Sequence, residues 1–92
     1  MTSVPTRVTL LTQTDCGHCD HAKQVLARVE ADFPLIVTEI SLDTDEGRHL
    51  ATRHGFVFAP GILLDGRAFG YGRLSERRLR KQLSRRPWAQ PG

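Results

Sequence analysis

The spacing of apolar positions switches repeatedly between a period of two and a period near 3.6, and each switch marks an element. Arg7-Val8-Thr9-Leu10-Leu11-Thr12 concentrates β-branched and apolar residues and predicts a short buried strand. Gln13-Thr14-Asp15 is polar and turn-prone. From Cys16 onward Ala22, Val25, Leu26, Val29 and Phe33 recur at i, i+3, i+4, i+7 and i+11, one face of a helix that Pro34 stops. Leu35 to Leu42 predicts a second strand. Asp43-Thr44-Asp45 supplies turn and cap chemistry for a second helix over 46–54, with Leu50 and Ala51 facing inward and Gly55 as a left-handed cap. After Phe56-Val57-Phe58-Ala59-Pro60, Ile62-Leu63-Leu64 predicts a third strand. Asp65-Gly66 signals a two-residue hairpin, and Arg67 to Tyr71 the returning strand. Ser75 is a good N-cap for a third helix whose inward stripe is Leu79 and Leu83.

The order is therefore β-α-β-α-β-β-α, an α/β chain. Its first half is a βαβ unit, parallel with a right-handed crossover; its second half is a hairpin and a helix. Ninety-two residues fit one domain, which at this size buries roughly 60–70% of the unfolded surface. The expected division is a flexible start over 1–6, one domain over 7–86 and a flexible tail over 87–92 that contains Trp88.

Net charge is +3, but Arg77, Arg78, Arg80, Lys81, Arg85 and Arg86 crowd the last fifth of the chain. A solvated helix face accounts for this most simply; a docking surface for an acidic partner is the sharper reading. Basic residues alone give only non-specific attraction to phosphate, so no specific nucleic-acid partner is expected. No apolar run is long enough to span a bilayer, and Met1 to Arg7 lacks the pattern of a secretory signal. A monomer in the cytoplasm is the expectation.

The cysteine count is two. Cys16 and Cys19 close too short a loop to serve as a staple, because little unfolded-state entropy is lost by closing it. Reactive chemistry makes better sense of the pair. It lies where the first strand hands over to the first helix, and a helix N-terminus offers unpaired N–H groups and partial positive charge to a thiolate. Cys16 is placed to attack and Cys19, one turn further in, to resolve the mixed disulfide. Gly17 leaves the approach uncrowded. His18 can carry a proton near neutral pH and so favour the thiolate, which predicts a reduction potential less negative than the roughly −270 mV of thioredoxin. Asp15 partly offsets it.

Two alternatives stay open. The cysteines, with His18 or His21, can be read as ligands of a metal or of an iron–sulfur cluster shared between chains, although a closed zinc site lacks a second cysteine pair. The chain can also be read as a redox-inactive interaction module that docks through its basic last helix. His49 and His54 read as surface residues, the latter beside a helix C-terminus. Pro60, before a strand, suits a cis peptide bond that leaves its neighbour's backbone free to pair with an extended substrate.

Cys16-x-x-Cys19 at the head of a helix, Pro60 before the third strand, the Asp65-Gly66 hairpin and the glycines before the third helix together resemble the thioredoxin superfamily, over residues 7–84. Cys16-Gly17-His18-Cys19 is identical to the active-site tetrapeptide of protein disulfide isomerases. The short length and Ala22-Lys23 are more similar to glutaredoxins. The resemblance implies a thioredoxin-like fold, a four-stranded mixed sheet flanked by three helices. It further implies a nucleophilic Cys16, and a substrate-binding rim of Phe58, Ala59, Pro60, Gly70 and Gly72, with no bound cofactor. Several residues depart from the pattern. Gln13 stands where glutaredoxins carry lysine. Phe58-Ala59-Pro60 replaces threonine-valine-proline, and Gly70 to Ser75 has no carboxylate to hold glutathione. Asp15 replaces thioredoxin's tryptophan and Leu10 its buried aspartate, which leaves Glu39 as a candidate base for Cys19. The expectation is a thiol–disulfide oxidoreductase acting on protein or low-molecular-weight disulfides with an external reductant, with glutathione disfavoured.

Overall fold

Each switch of period becomes an element. The computed structural model describes residues 4–85. Along them run β1 (Thr6–Thr12), α1 (Gly17–Glu30), β2 (Leu35–Ser41), α2 (Asp45–His54), β3 (Gly61–Leu64), β4 (Arg67–Tyr71) and α3 (Glu76–Ser84). Arg86, Trp88 and the tail over 87–92 lie outside the described residues. Thr6, grouped by sequence with a flexible start, is fully buried in β1 and donates its N–H to the Pro34 carbonyl at 3.0 Å. α1 ends at Glu30, short of Phe33. The residue before a proline is pushed out of helical geometry, so Ala31 to Phe33 wind down through turns onto the Arg28 and Val29 carbonyls. Phe33 still packs on the core from that turn.

The sheet has four strands in the order β2-β1-β3-β4. β1 and β2 are parallel, and β1–β3 and β3–β4 antiparallel, the mixed sheet the resemblance implies. Asp65 and Gly66 turn the hairpin with φ of 50° and 81°, the pair of positive φ values that a two-residue turn of matching twist requires. The Asp65 carboxylate also accepts the Arg7 N–H at 2.9 Å, which fastens the turn to β1.

The faces of the sheet are unequal. Val8, Leu10, Leu35, Ile62 and Leu64 meet Ala22, Val25, Leu26 and Val29 of α1 and Leu79 and Leu83 of α3 in one continuous core, with Leu74 beneath. Fully burying one such aliphatic side chain stabilises by ~1.5–3 kcal/mol. Ion pairs close the α1–α3 seam outside it. Glu76 accepts from Arg28 and from Arg80, each at 3.0 Å, and Arg80 also donates to Asp32 at 2.6 Å. The opposite face carries Leu11 and Leu63 under α2 by strand alternation. Leu50 and Ala51 of α2, expected inside, are only half-buried; the fully buried residue of that helix is Gly47. A Cβ on Gly47 would land on the Ser41 carbonyl, so glycine is what lets α2 approach the end of β2.

One irregularity could not be read from spacing. Ile62 pairs with Gly70 but Leu63 with Ala68, so Phe69 is an extra residue in β4. Strict alternation puts Phe69 and Tyr71 on one face. The bulge separates them: Phe69 packs on the α1–α3 core under the Arg78 guanidinium, and Tyr71 meets Phe56 and Phe58.

Candidate active site

Strand register brings three separate segments to one end of the sheet. Leu11 of β1 pairs with Gly61 of β3, and Gly61 pairs with Tyr71 of β4. Beyond that row β1 leads into the turn before Cys16, β3 is entered from Pro60, and β4 leaves into Gly72. The cysteine pair, the proline loop and the last glycine therefore share a rim.

The turn begins at Asp15, which takes the left-handed conformation at φ 56°. Cys16 follows in extended geometry (φ −109°, ψ 104°) and is the N-cap of α1. Serine, threonine, aspartate or asparagine commonly fills that position, because its side chain accepts a free N–H of the first turn. Here a sulfur does so: Cys16 Sγ accepts the Cys19 N–H at 3.1 Å, while the Cys16 carbonyl accepts from Cys19 and Asp20 at 3.1 and 3.2 Å. Cys16 and Cys19 are joined as a disulfide, their Cα atoms 5.2 Å apart. Cys16 is partly accessible, whereas Cys19 is 2% exposed. Gly17 has open space where a side chain would sit, and His18 is exposed beside it.

A cleft of about 430 Å³ opens next to the pair, lined among others by Thr12, Cys16, Cys19, Lys23 and Ser41. Glu39 does not line it. It stands in register with Leu10, as the strand position required, but its carboxylate turns to the Lys23 ammonium at 3.2 Å and is about half exposed. The charged group of that ion pair at the cleft is thus the Lys23 cation, and the base expected beneath Cys19 is not formed by Glu39. Leu10 itself is fully buried in the core.

The Ala59–Pro60 peptide bond is cis, and both residues are buried. The Pro60 carbonyl accepts the Gly72 N–H at 2.8 Å, which ties the β4 exit to the proline loop. Gly72 has φ of 83°, and a Cβ there would come within 3.0 Å of the Phe58 ring, so position 72 needs glycine twice over. Gly70 shows neither constraint. Phe58 is exposed and meets Tyr71 edge-on at 5.1 Å between centroids. Tyr71 and Val57 were not singled out by sequence. The signal for Val57 was its place in an apolar run too short for a strand; Tyr71 had none, since its partner is 13 residues away.

His21 lines a different cleft, with Arg73 and Glu76 on the α3 side, and does not join the cysteines. Among the described residues no group of three or more His, Cys, Asp or Glu can hold a metal ion, and no helix is long and apolar enough to cross a membrane. His54, in the last turn of α2, stacks on Phe56 at 5.9 Å. Glu76, at the α1–α3 seam, has a lowered proton affinity. Hydrogen bonds from Arg80, then from Arg28, hold its carboxyl below the usual value near 4.5.

The family model for the glutaredoxin-like domain (DUF836) matches residues 7–84. The chain belongs to the glutaredoxin-like domain family. Solved structures agree on the fold. A point-mutant thioredoxin from Halobacterium salinarum NRC-1 superposes with a TM-score of 0.68 at 20% identity, covering 95% of this chain and 77% of its own. A thioredoxin-like protein from Clostridium perfringens gives 0.65 at 13% identity, covering 90% and 71%. The holo form of glutaredoxin C1 from Populus tremula × tremuloides gives 0.56 at 23% identity, covering 88% and 77%. No curated protein matches the sequence. This glutaredoxin-like domain thus pairs a thiol–disulfide redox fold with a Cys-x-x-Cys pair at its expected helix start.

Proposed function

We propose that the chain is a dithiol–disulfide oxidoreductase. The reduced Cys16 thiolate attacks one sulfur of a substrate disulfide, and the other leaves as a thiol after taking a proton. Cys19 then attacks Cys16 Sγ, releasing the second substrate thiol and closing the Cys16–Cys19 disulfide. Two electrons pass from the dithiol to the substrate, and an external thiol reductant of a reducing compartment such as the cytoplasm restores the pair.

The observation that carries this reading is the sulfur of Cys16 serving as N-cap of α1, within 3.1 Å of the Cys19 N–H. An acceptor so placed is better satisfied as an anion, because a charge-assisted hydrogen bond and the helix dipole both favour it. The shared rim supports it further, since β3 is entered from the cis Ala59–Pro60 bond at the end of the sheet where β1 leads toward Cys16.

Titration of Cys16 in the reduced protein tests the reading directly. Its thiol should ionise well below the free value of about 8.5. Cys16→Ser should abolish disulfide reduction, and Cys19→Ser should accumulate mixed disulfides on Cys16. A Cys16 that ionises near the free value, with no trapped adduct, overturns it.

A further inference from the structure

We infer that the open edge of β4 and the adjoining basic flank of α3 form a docking groove for an extended acidic segment of a partner polypeptide. The inference goes beyond the oxidoreductase reading and does not depend on it, because the groove lies at the opposite end of the sheet from the cysteines.

Strand register fixes its place. Arg67 pairs with Leu64 and Leu64 with Val8, a row near the start of β1, whereas Cys16 follows the far end of that strand. In this region a cleft of about 240 Å³ opens between β4 and α3, lined by Leu64, Arg67, Ala68, Phe69, Arg78 and Gln82.

The two flanks of α3 are used differently. Glu76 and Arg80 lie toward α1 and are taken up by ion pairs with Arg28 and Asp32. Arg78, Gln82 and the C-cap Arg85 recur at i, i+4 and i+7 and so share the other flank, beside β4. Among the described residues neither Arg78 nor Arg85 makes an ion pair. The Arg78 guanidinium instead lies over the Phe69 ring, 5.5 Å from its centroid. An aromatic face supports the cation without engaging its N–H donors, which leaves the planar fork to an incoming carboxylate. The bulge in β4 is what brings Phe69 to this side, so the irregularity of the strand builds the floor of the groove.

The edge supplies the second half of the argument. β4 is the last strand of the sheet, and among the described residues it pairs with β3 alone. Its outer row of N–H and C=O groups can receive another strand. Arginines beside that row repel a second copy of the same edge and attract a strand of opposite charge. Side chains of an added strand alternate between the faces of the sheet, so acidic residues at every second position line up on the α3 side. Main-chain pairing favours a polypeptide over nucleic acid: a phosphate backbone can meet the arginines but cannot continue the sheet.

Fluorescence anisotropy with the full chain tests this on labelled probes: a peptide of alternating Glu and Val, the same peptide with Gln in place of Glu, and an oligothymidylate of equal charge. The wild-type protein should bind the Glu peptide about tenfold more tightly than either of the others. Hydrogen exchange of the wild-type complex should slow at residues 67–71 and stay unchanged in β2. Arg78→Glu should weaken the Glu peptide about tenfold, and Arg85→Glu several-fold. Arg77→Glu makes the same change of charge at an exposed position that does not line the cleft, and should stay within about twofold of wild type. Equal affinity for the two peptides overturns the inference and needs no variant to fold. So does an oligothymidylate that binds as tightly as the Glu peptide, or a complex without protection in β4. Equal losses in Arg77→Glu and Arg78→Glu reduce the effect to net charge and overturn it as well. A wild-type dimer with β4 protected in the absence of peptide overturns it in favour of a second copy of the chain.

Discussion

The two faces of the sheet are built on different principles. Under α1 and α3 a single apolar cluster joins strands and both helices, and ion pairs from Glu76 and Arg80 close its seam. Under α2 the contact is thin: one glycine is buried, Leu50 and Ala51 are half-covered, and the aromatic side chains Phe56, Phe58 and Tyr71 run out to the rim. Cys16 caps α1, the helix of the packed face, and Cys19 lies in its first turn. The aromatic contacts of Phe56, Phe58 and Tyr71 belong to the thin face. A site that needs a fixed geometry is best carried by the better-held element.

This contrast can be broken most severely from the packed side. Leu79→Ala removes a fully buried side chain that links α3 to the core, and should cost about 2–5 kcal/mol in denaturant unfolding. On the thin side, Leu50→Ala should cost about 1 kcal/mol or less, since the side chain is only half-buried. Adding bulk there should hurt more than removing it. Gly47→Ala drives a methyl into the Ser41 backbone and should cost about 1–3 kcal/mol, seen as a lower midpoint with an unchanged denaturant slope.

The next effect is chemical. His18 is exposed one residue before Cys19 in the motif, so His18→Ala should leave stability nearly unchanged but make the potential more negative by about 30 mV or less, equivalent to ~1.4 kcal/mol. A glutathione-buffered redox titration measures it, and no shift removes His18 from the tuning of the pair.

The smallest effect belongs to the ion-paired seam. Because the Glu76 carboxyl is held below its ordinary value near 4.5, its contribution is present above that value and is lost as pH falls through the lowered one. Glu76→Gln should lower Tm by about 2 °C or less at neutral pH. The difference should close in acid and in high salt. A difference that survives both would mean that packing of the side chain, and not its charge, holds the seam.

Local chemistry was legible wherever one residue or one stripe decides the outcome. The α1 stripe from Ala22 to Val29, the Asp65-Gly66 turn, the Gly55 cap at φ 71° and the Ser75 cap all stand where the sequence puts them. So does the position of Cys16 at the helix start. What sequence could not show depends on partners distant in the chain. The bulge at Phe69 breaks the alternation that spacing assumes, because the pairing of β4 with β3 shifts between Ile62 and Leu63. Glu39 occupies the strand position asked of a base, yet Lys23 one helix away captures its carboxylate. Leu50 and Ala51 have the right spacing on a helix that the sheet receives through a glycine.

The sulfur to which the proposed function assigns electron exchange also caps the open end of α1. In the proposed cycle the grip on the Cys19 main-chain amide should be tightest when the sulfur bears a full negative charge, because a charge-assisted hydrogen bond is stronger than a neutral one. The N–H of Cys19 would then be a built-in gauge of the oxidation state of the pair.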